Sequence, residues 1–177
     1  GIEYYESGKK RYDGDWFKGR LHGKGIEFWS GSDKKKYEGD WSENQYHGKG
    51  IEYGENGKKK YEGEWSENKY HGKGVNYDRD EHIQYDGDWS KGKRHGKGNY
   101  WENGMQKYEG QYSEDKRHGK GIYKFADGRK YDGEWENDKK QGHGVFTWPN
   151  EGKYDGEWKN DKKEGHGIFE FPSGNIY

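Results

Sequence analysis

The chain has 177 residues, with 33 basic and 34 acidic side chains, a net charge of −1 at pH 7 and no cysteine. Disulfides and thiolate metal sites are excluded, and no global field gathers nucleic acid or an anionic membrane. One Leu, two Val and seven Ile cannot fill a two-layer core, so the apolar surface must come from 9 Trp, 17 Tyr and 6 Phe, each ring able to bury roughly 150–250 Å².

In chain order, residues 1–11 (GIEYYESGKKR) match the second half of a unit seen again as GIEYGENGKKK at 50–60. Whole units then start at Tyr12, Tyr37, Tyr61, Tyr85, Tyr108, Tyr131 and Tyr154, spaced 25, 24, 24, 23, 23 and 23 residues apart. Residues 1–177 thus read as a single repeat array, and because its end stops where an eighth unit would begin, as an internal piece of a longer one.

Counting each of these tyrosines as offset 0, Gly stands at offsets 2, 11 and 13 in every unit, and Trp at offset 4 in all but the fifth, which has Tyr112. The run YEGDW alternates ring, acid, Gly, acid, ring, the period of a strand with unlike faces. At offset 7 stand Gly19, Asn44, Asn68, Gly92, Asp115, Asp138 and Asp161, residue types that tolerate a left-handed turn. A second strand, GxG followed by Ile or Val in six units, ends in turn signals such as Asn56-Gly57 and Asp127-Gly128. The expected fold is all-β: an elongated, single-layered antiparallel meander solenoid of about seven hairpins, twisted and curved into a groove. Bare glycine backbone would let each ring lie flat on a strand.

The acids at offsets 1 and 3 are an obvious first candidate for chemistry. Like groups one hairpin apart are separated by about 9.6 Å, whereas Ca²⁺ takes its oxygens at about 2.3–2.6 Å, so a solvated face is the better reading. The same step keeps the histidines (His22, His47, His71, His95, His118, His143 and His166) from converging on zinc. HGKG lacks the spacing and the helix of a phosphate loop. No nucleophile constellation recurs, and the sequence predicts no enzyme, no cofactor and no metal.

The pattern Y-[DE]-G-x-W, a five-residue turn and then HGKG or GHG resembles the MORN (membrane occupation and recognition nexus) repeat over essentially the whole chain. Units five to seven look most typical. The earlier ones carry GIEY or GIEF and one or two extra residues, which shifts the second-strand aromatic by one position and reverses its face unless a bulge intervenes. The resemblance implies a non-catalytic scaffold or adaptor in cytoskeletal, ciliary or membrane-contact assemblies. The lack of cysteine and of an Asn-x-Ser/Thr acceptor fits an intracellular, cytoplasmic setting, to which the resemblance adds a cytoskeletal or axonemal one and partners presenting extended or helical segments.

Two surfaces are candidates for that role. The first is the aromatic face made by Tyr12, Trp16, Tyr37, Trp41, Tyr61, Trp65, Tyr85, Trp89, Tyr108, Tyr112, Tyr131, Trp135, Tyr154 and Trp158, expected to receive a partner protein segment because a single layer cannot cover both of its own faces. The second is a basic ridge of hairpin tips, Lys93, Arg94, Lys116, Arg117, Lys139, Lys140, Lys162 and Lys163, which suits phosphoinositide or an anionic membrane surface. Nucleic acid is disfavoured, since acids sit beside the rings. Open strand edges at both ends also allow homodimers or edge-to-edge assembly.

Overall fold

The computed structural model describes residues 1–177 and is all-β, with fifteen strands and no helix. Two compact units, Gly1–Lys93 and Arg94–Tyr177, are described in turn. The first contains β1 (Ile2–Tyr4), β2 (Lys10–Phe17), β3 (Arg20–Phe28), β4 (Lys35–Ser42), β5 (Gln45–Tyr53), β6 (Lys59–Ser66), β7 (Lys69–Tyr77) and β8 (Ile83–Ser90). Each strand pairs antiparallel with the next. The second is a meander of the same kind: β9 (Lys93–Glu102), β10 (Met105–Ser113), β11 (Lys116–Lys124), β12 (Lys130–Glu136), β13 (Lys139–Trp148), β14 (Gly152–Lys159) and β15 (Lys162–Glu170).

The hairpin turns are shorter than the five residues expected. Two residues suffice, as in Glu43-Asn44 (φ 51° and 66°) and Asn137-Asp138 (φ 51° and 70°). Positive φ at both positions is the twist-matched two-residue hairpin geometry, which is why Asn, Asp or Gly fills the second one. The strands therefore run on through the positions the sequence pattern suggested were loop.

A row of paired glycines crosses every strand from β2 to β8. Gly14 faces Gly25, Gly25 faces Gly39, and the pairing runs on through Gly50, Gly63 and Gly74 to Gly87. The tyrosine at offset 0 lies across the glycine pair of its own hairpin: a Cβ on Gly50 or Gly39 would overlap the Tyr37 hydroxyl. That hydroxyl donates to the Asp40 carbonyl at 2.9 Å, so the buried phenol is satisfied by the backbone it covers. Tyr37, Tyr61 and Tyr131 are fully buried. Bare backbone and a flat ring do the work of a second layer.

Next to the glycine row, the β2–β3, β4–β5, β6–β7, β10–β11, β12–β13 and β14–β15 hairpins each carry a bulge. Gly39 pairs with Gly50 and Asp40 with His47, so Gly48 and Lys49 are extra, and the Asp40 carboxylate accepts from the Lys49 amide at 2.9 Å. Asp15 does the same for Lys24 at 3.0 Å, and Gln111 for Lys120 at 2.9 Å. The offset-3 acids are thus bulge caps as well as part of a polar face.

The second-strand aromatics do change face between early and late units. Glu52 sits opposite Tyr37 and Tyr61 on the ring face, which puts Tyr53 on the other, where its hydroxyl donates to Glu38 at 3.3 Å. In the second unit Phe146 occupies the place of Glu52, opposite Tyr131 and Tyr154. A bulge at Lys60 takes up the extra residue without restoring the aromatic to the ring face.

Candidate functional site

The ring face is a ladder. Trp41 stands edge-on between Tyr12 (5.2 Å between centroids) and Tyr37 (5.3 Å), and Trp65 between Tyr37 (5.4 Å) and Tyr61 (5.2 Å). Each indole Nε1 donates to a glycine carbonyl of the preceding hairpin, Trp41 to Gly25 and Trp65 to Gly50, both at 3.1 Å. In the second unit Trp135 reaches Gly121 and Trp158 reaches Gly144, each at 2.9 Å. The tyrosine fixes its own hairpin and the tryptophan staples that hairpin to the one before.

This geometry relocates the predicted aromatic surface. Of the fourteen rings named from the sequence, all but Trp16 are buried within the fold; Trp16 is 39% exposed. They form the core of the sheet, so on that side a partner would meet the side chains lying over them.

Offset 9 supplies those side chains, and its chemistry differs between the units. In the first, Tyr46 stacks on Tyr37 at 3.8 Å and Tyr70 on Tyr61 at 3.7 Å, with hydroxyls donating to Glu27 and Glu52 respectively. Burial, with the carboxylate next to it, pushes both phenols far up in pKa. In the second, cations take the same position: the Arg117 guanidinium lies 4.2 Å from the Trp135 ring centre and 4.9 Å from that of Tyr123, and Lys140 lies 4.8 Å from Trp158. Such contacts are worth about 0.5–2 kcal/mol each.

The predicted basic ridge is therefore split. Lys93, Lys116, Lys139 and Lys162 are exposed, but their neighbours turn onto the ring face. Arg94 holds Asp115 (Nε to Oδ1, 3.3 Å), Arg117 holds Asp138 (3.0 Å), and Lys163 sits 4.3 Å from the Tyr154 ring centre. Burial lowers the Lys140 pKa. Strand alternation, which sends adjacent residues to opposite faces, is the reason.

Turn residues clip successive hairpins together. The Asn68 side chain accepts from the Tyr46 amide at 2.8 Å, while the Asn68 amide donates to the Tyr46 carbonyl at 3.2 Å. Asp138 does the same for Arg117, at 2.9 and 3.1 Å. Apart from His82, in the loop before β8, the histidines are spread along the strands; His143 Nε2 lies 2.9 Å from Asp155, and no three acidic or imidazole side chains come together as a metal site.

The face opposite the rings carries a groove that sequence reading did not locate. In the first unit, a cavity of about 720 Å³ runs across the strands over the backbone of Gly25, Gly39, Gly50 and Gly63. One wall is Asp13, Ile26, Glu38, Ile51 and Glu62; the other is Lys24, Lys49, Glu64 and Lys73. Ile26 pairs with Asp13 and Glu38, so aliphatic and acidic side chains alternate along the first wall. Ion pairs hold the rims, Lys24 to Asp40 at 2.5 Å and Lys35 to Glu38 at 2.7 Å. The spacing of Ile26, Ile51 and Val75 carried this signal, but which face stayed uncovered depended on where the rings lay.

The family model for the MORN repeat matches residues 12–34, 37–59, 61–75, 85–106, 108–128, 131–153 and 154–176. Repeats of this family are generally non-catalytic and occur in scaffold and membrane-associated proteins. Comparison with curated proteins returns no match. With seven matched copies, each starting on a tyrosine of the ladder, the chain belongs to the MORN repeat family.

Proposed function

We propose that this array is a non-catalytic scaffold whose first unit docks an amphipathic helix of a partner protein in the groove opposite the ring ladder. The single observation behind this reading is that groove, a half-apolar channel of about 720 Å³ over glycine backbone, on the face the rings leave uncovered. Ile26, Ile51 and Val75 recur every second strand, a step of about 9.6 Å at the usual strand spacing. A helix advances about 10.5 Å in seven residues, close enough to seat one apolar side chain per hairpin. An extended segment rises about 3.3 Å per residue, so the same step takes about three residues and turns alternate side chains away. Asp13, Glu38 and Glu62 pair with Lys10, Lys35 and Lys59 at 2.9, 2.7 and 2.8 Å, half-exposed pairs that basic residues flanking the apolar stripe of a partner would exchange with.

Peptides selected for binding to the intact chain from a random displayed library test the proposal. Enriched sequences should place apolar residues seven apart, with Lys or Arg beside them, and Ile51→Glu should weaken them at least tenfold. Extended or acidic binders, or binders indifferent to Ile51→Glu, would overturn it.

A further inference from the structure

Two hairpins show what a tyrosine at offset 9 does. In β4–β5, Tyr46 stacks on Tyr37 at 3.8 Å, stands edge-on to Trp41 (4.8 Å) and Trp65 (5.2 Å), and donates its hydroxyl to Glu27. In β6–β7, Tyr70 repeats these contacts with Tyr61, Trp65 (4.9 Å), Trp89 (5.1 Å) and Glu52. The carboxylate divides its oxygens in both: Oε2 accepts the hydroxyl, and Oε1 accepts from Lys36 at 3.2 Å or Lys60 at 2.9 Å.

The β2–β3 hairpin builds the same box without the phenol. Tyr12 is its floor, with Trp16 and Trp41 edge-on at 5.4 and 5.2 Å. Glu3 stands opposite Tyr12 as Glu27 stands opposite Tyr37. Its Oε1 accepts from Arg11 at 2.9 Å, and its Oε2 has no partner. Offset 9 is Leu21, which covers Tyr12 but lacks the outer half of a phenol ring and its hydroxyl. A cavity of about 660 Å³ remains, lined among others by Glu3, Tyr12, Trp16, Leu21, Trp41 and Tyr46.

We propose that this cavity binds a phenol group, its ring on Leu21 between Trp16 and Trp41 and its hydroxyl donating to Glu3 Oε2. The ligand thereby takes the part that Tyr46 and Tyr70 play from within the chain. Edge-on indoles favour a flat aromatic ring, and a carboxylate acceptor strengthens the hydrogen bond from its hydroxyl. The charges at the rim are already matched, Glu3 with Arg11 and Glu27 with Lys36, so a neutral donor fits where an added ion would displace a pair. The site shares no residue with the groove on the opposite face, so loss of phenol binding and loss of helix docking are separate outcomes.

Titration of the intact, isotope-labelled chain with 4-ethylphenol, followed at the indole N–H resonances of Trp16 and Trp41, tests the proposal. Ethylbenzene is the probe without the hydroxyl, and N-acetyltyrosinamide carries the phenol on a peptide unit. 4-Ethylphenol should bind about fivefold to tenfold tighter than ethylbenzene, and Glu3→Ala should erase that difference. Leu21→Tyr should exclude every probe by filling the box from within, whereas Leu21→Ala, which uncovers Tyr12, should tighten 4-ethylphenol about threefold. Binding of N-acetyltyrosinamide as well assigns the site to a tyrosine side chain; binding of 4-ethylphenol alone assigns it to small phenols. No saturable binding, equal binding of ethylbenzene, or 4-ethylphenol bound as tightly by Leu21→Tyr as by the wild type overturns the proposal. Glu3→Ala, altered at a half-exposed position, decides the case if a Leu21 variant does not fold.

Discussion

Trp65 joins two hairpins with one side chain: its indole N–H donates to the Gly50 carbonyl at 3.1 Å while its ring stands perpendicular to both Tyr37 and Tyr61. Truncation to Ala opens a ring-sized cavity in a sheet with no second layer to collapse into it, and should cost about 3–5 kcal/mol. Trp65→Phe keeps a ring but orphans the carbonyl, a loss of about 1–3 kcal/mol. Urea denaturation gives both values. Equal losses in the two variants would mean that the hydrogen bond, and not the ring, holds the hairpins together.

Gly50 is the floor beneath Tyr37, and the first atom of any side chain there would coincide with the phenol. Gly50→Ala must lift the ring off the strand and break its bond to the Asp40 carbonyl, a destabilisation of about 2–4 kcal/mol. Gly57, in the Asn56-Gly57 turn, meets only the flexible end of Lys34. Its φ of 85° makes Gly57→Ala unfavourable for a different reason, backbone strain of about 1–2 kcal/mol. Thermal melts of the two variants should separate a packing cost from a conformational one, with the Gly50 variant melting lower.

Much of this was legible in the chain itself. Glycines and rings at fixed offsets implied hairpins, and the period of two put the rings of YEGDW on one face and its acids on the other. The fate of the rings was not legible, because whether a flat ring is a surface or a core depends on what lies on its far side. Tyr46 and Arg117 hold the same offset with opposite chemistry, and both come to lie over the ladder only once the strands are paired. The acids were also read too simply: spacing excluded a metal, but Asp40 as the cap of a two-residue bulge required knowing that Gly48 and Lys49 are extra.

Arg117 and Lys116 are adjacent, and sequence reading gave them one role. Arg117 lies over Trp135 and bonds Asp138, whereas Lys116 is exposed. Arg117→Ala should destabilise by about 1–3 kcal/mol through lost packing and an unpaired Asp138, and Lys116→Ala should stay within about 0.5 kcal/mol of the wild type. Denaturant midpoints check this directly. If the ridge also meets anionic vesicles, Lys116→Ala should be the variant that alters their salt-dependent binding.

Alkali should unfold the sheet. Burial pushes the Tyr12 phenol up to about 12, and those of Tyr37, Tyr61, Tyr108 and Tyr131 still higher. A phenol with a raised folded-state pKa contributes stability in full below its unfolded value near 10, and loses it as pH climbs toward the folded value. Stability is therefore expected to be level in this respect through neutral pH and to fall from about pH 10 upward. Phenolate absorbance near 295 nm should show the ladder tyrosines titrating only as circular dichroism is lost. Smooth titration of every tyrosine with the fold intact would contradict the burial.

Gly92 marks a gap in the series of turn clips. Asn44 and Asn68 each accept a backbone N–H from the preceding hairpin, Leu21 and Tyr46 being the donors at 2.8 Å, and Asp115, Asp138 and Asp161 do likewise. At Gly92 the backbone half survives, its amide donating to the Tyr70 carbonyl at 2.9 Å, but glycine has no side chain to accept from the Tyr70 amide. Its φ of 83° lies in the region Asn tolerates best among residues with a side chain, and a Cβ there would approach nothing closer than Lys69 Cβ at 3.9 Å. Gly92→Asn should therefore add one hydrogen bond and restrict the unfolded chain, for a gain of about 0.5–1.5 kcal/mol. Gly92→Ala supplies the restriction without the acceptor and pays the left-handed penalty, so it should be less stable than Gly92→Asn. Equal midpoints in urea for the two variants would show that the side-chain clip adds nothing, and that the turn is held by its backbone alone.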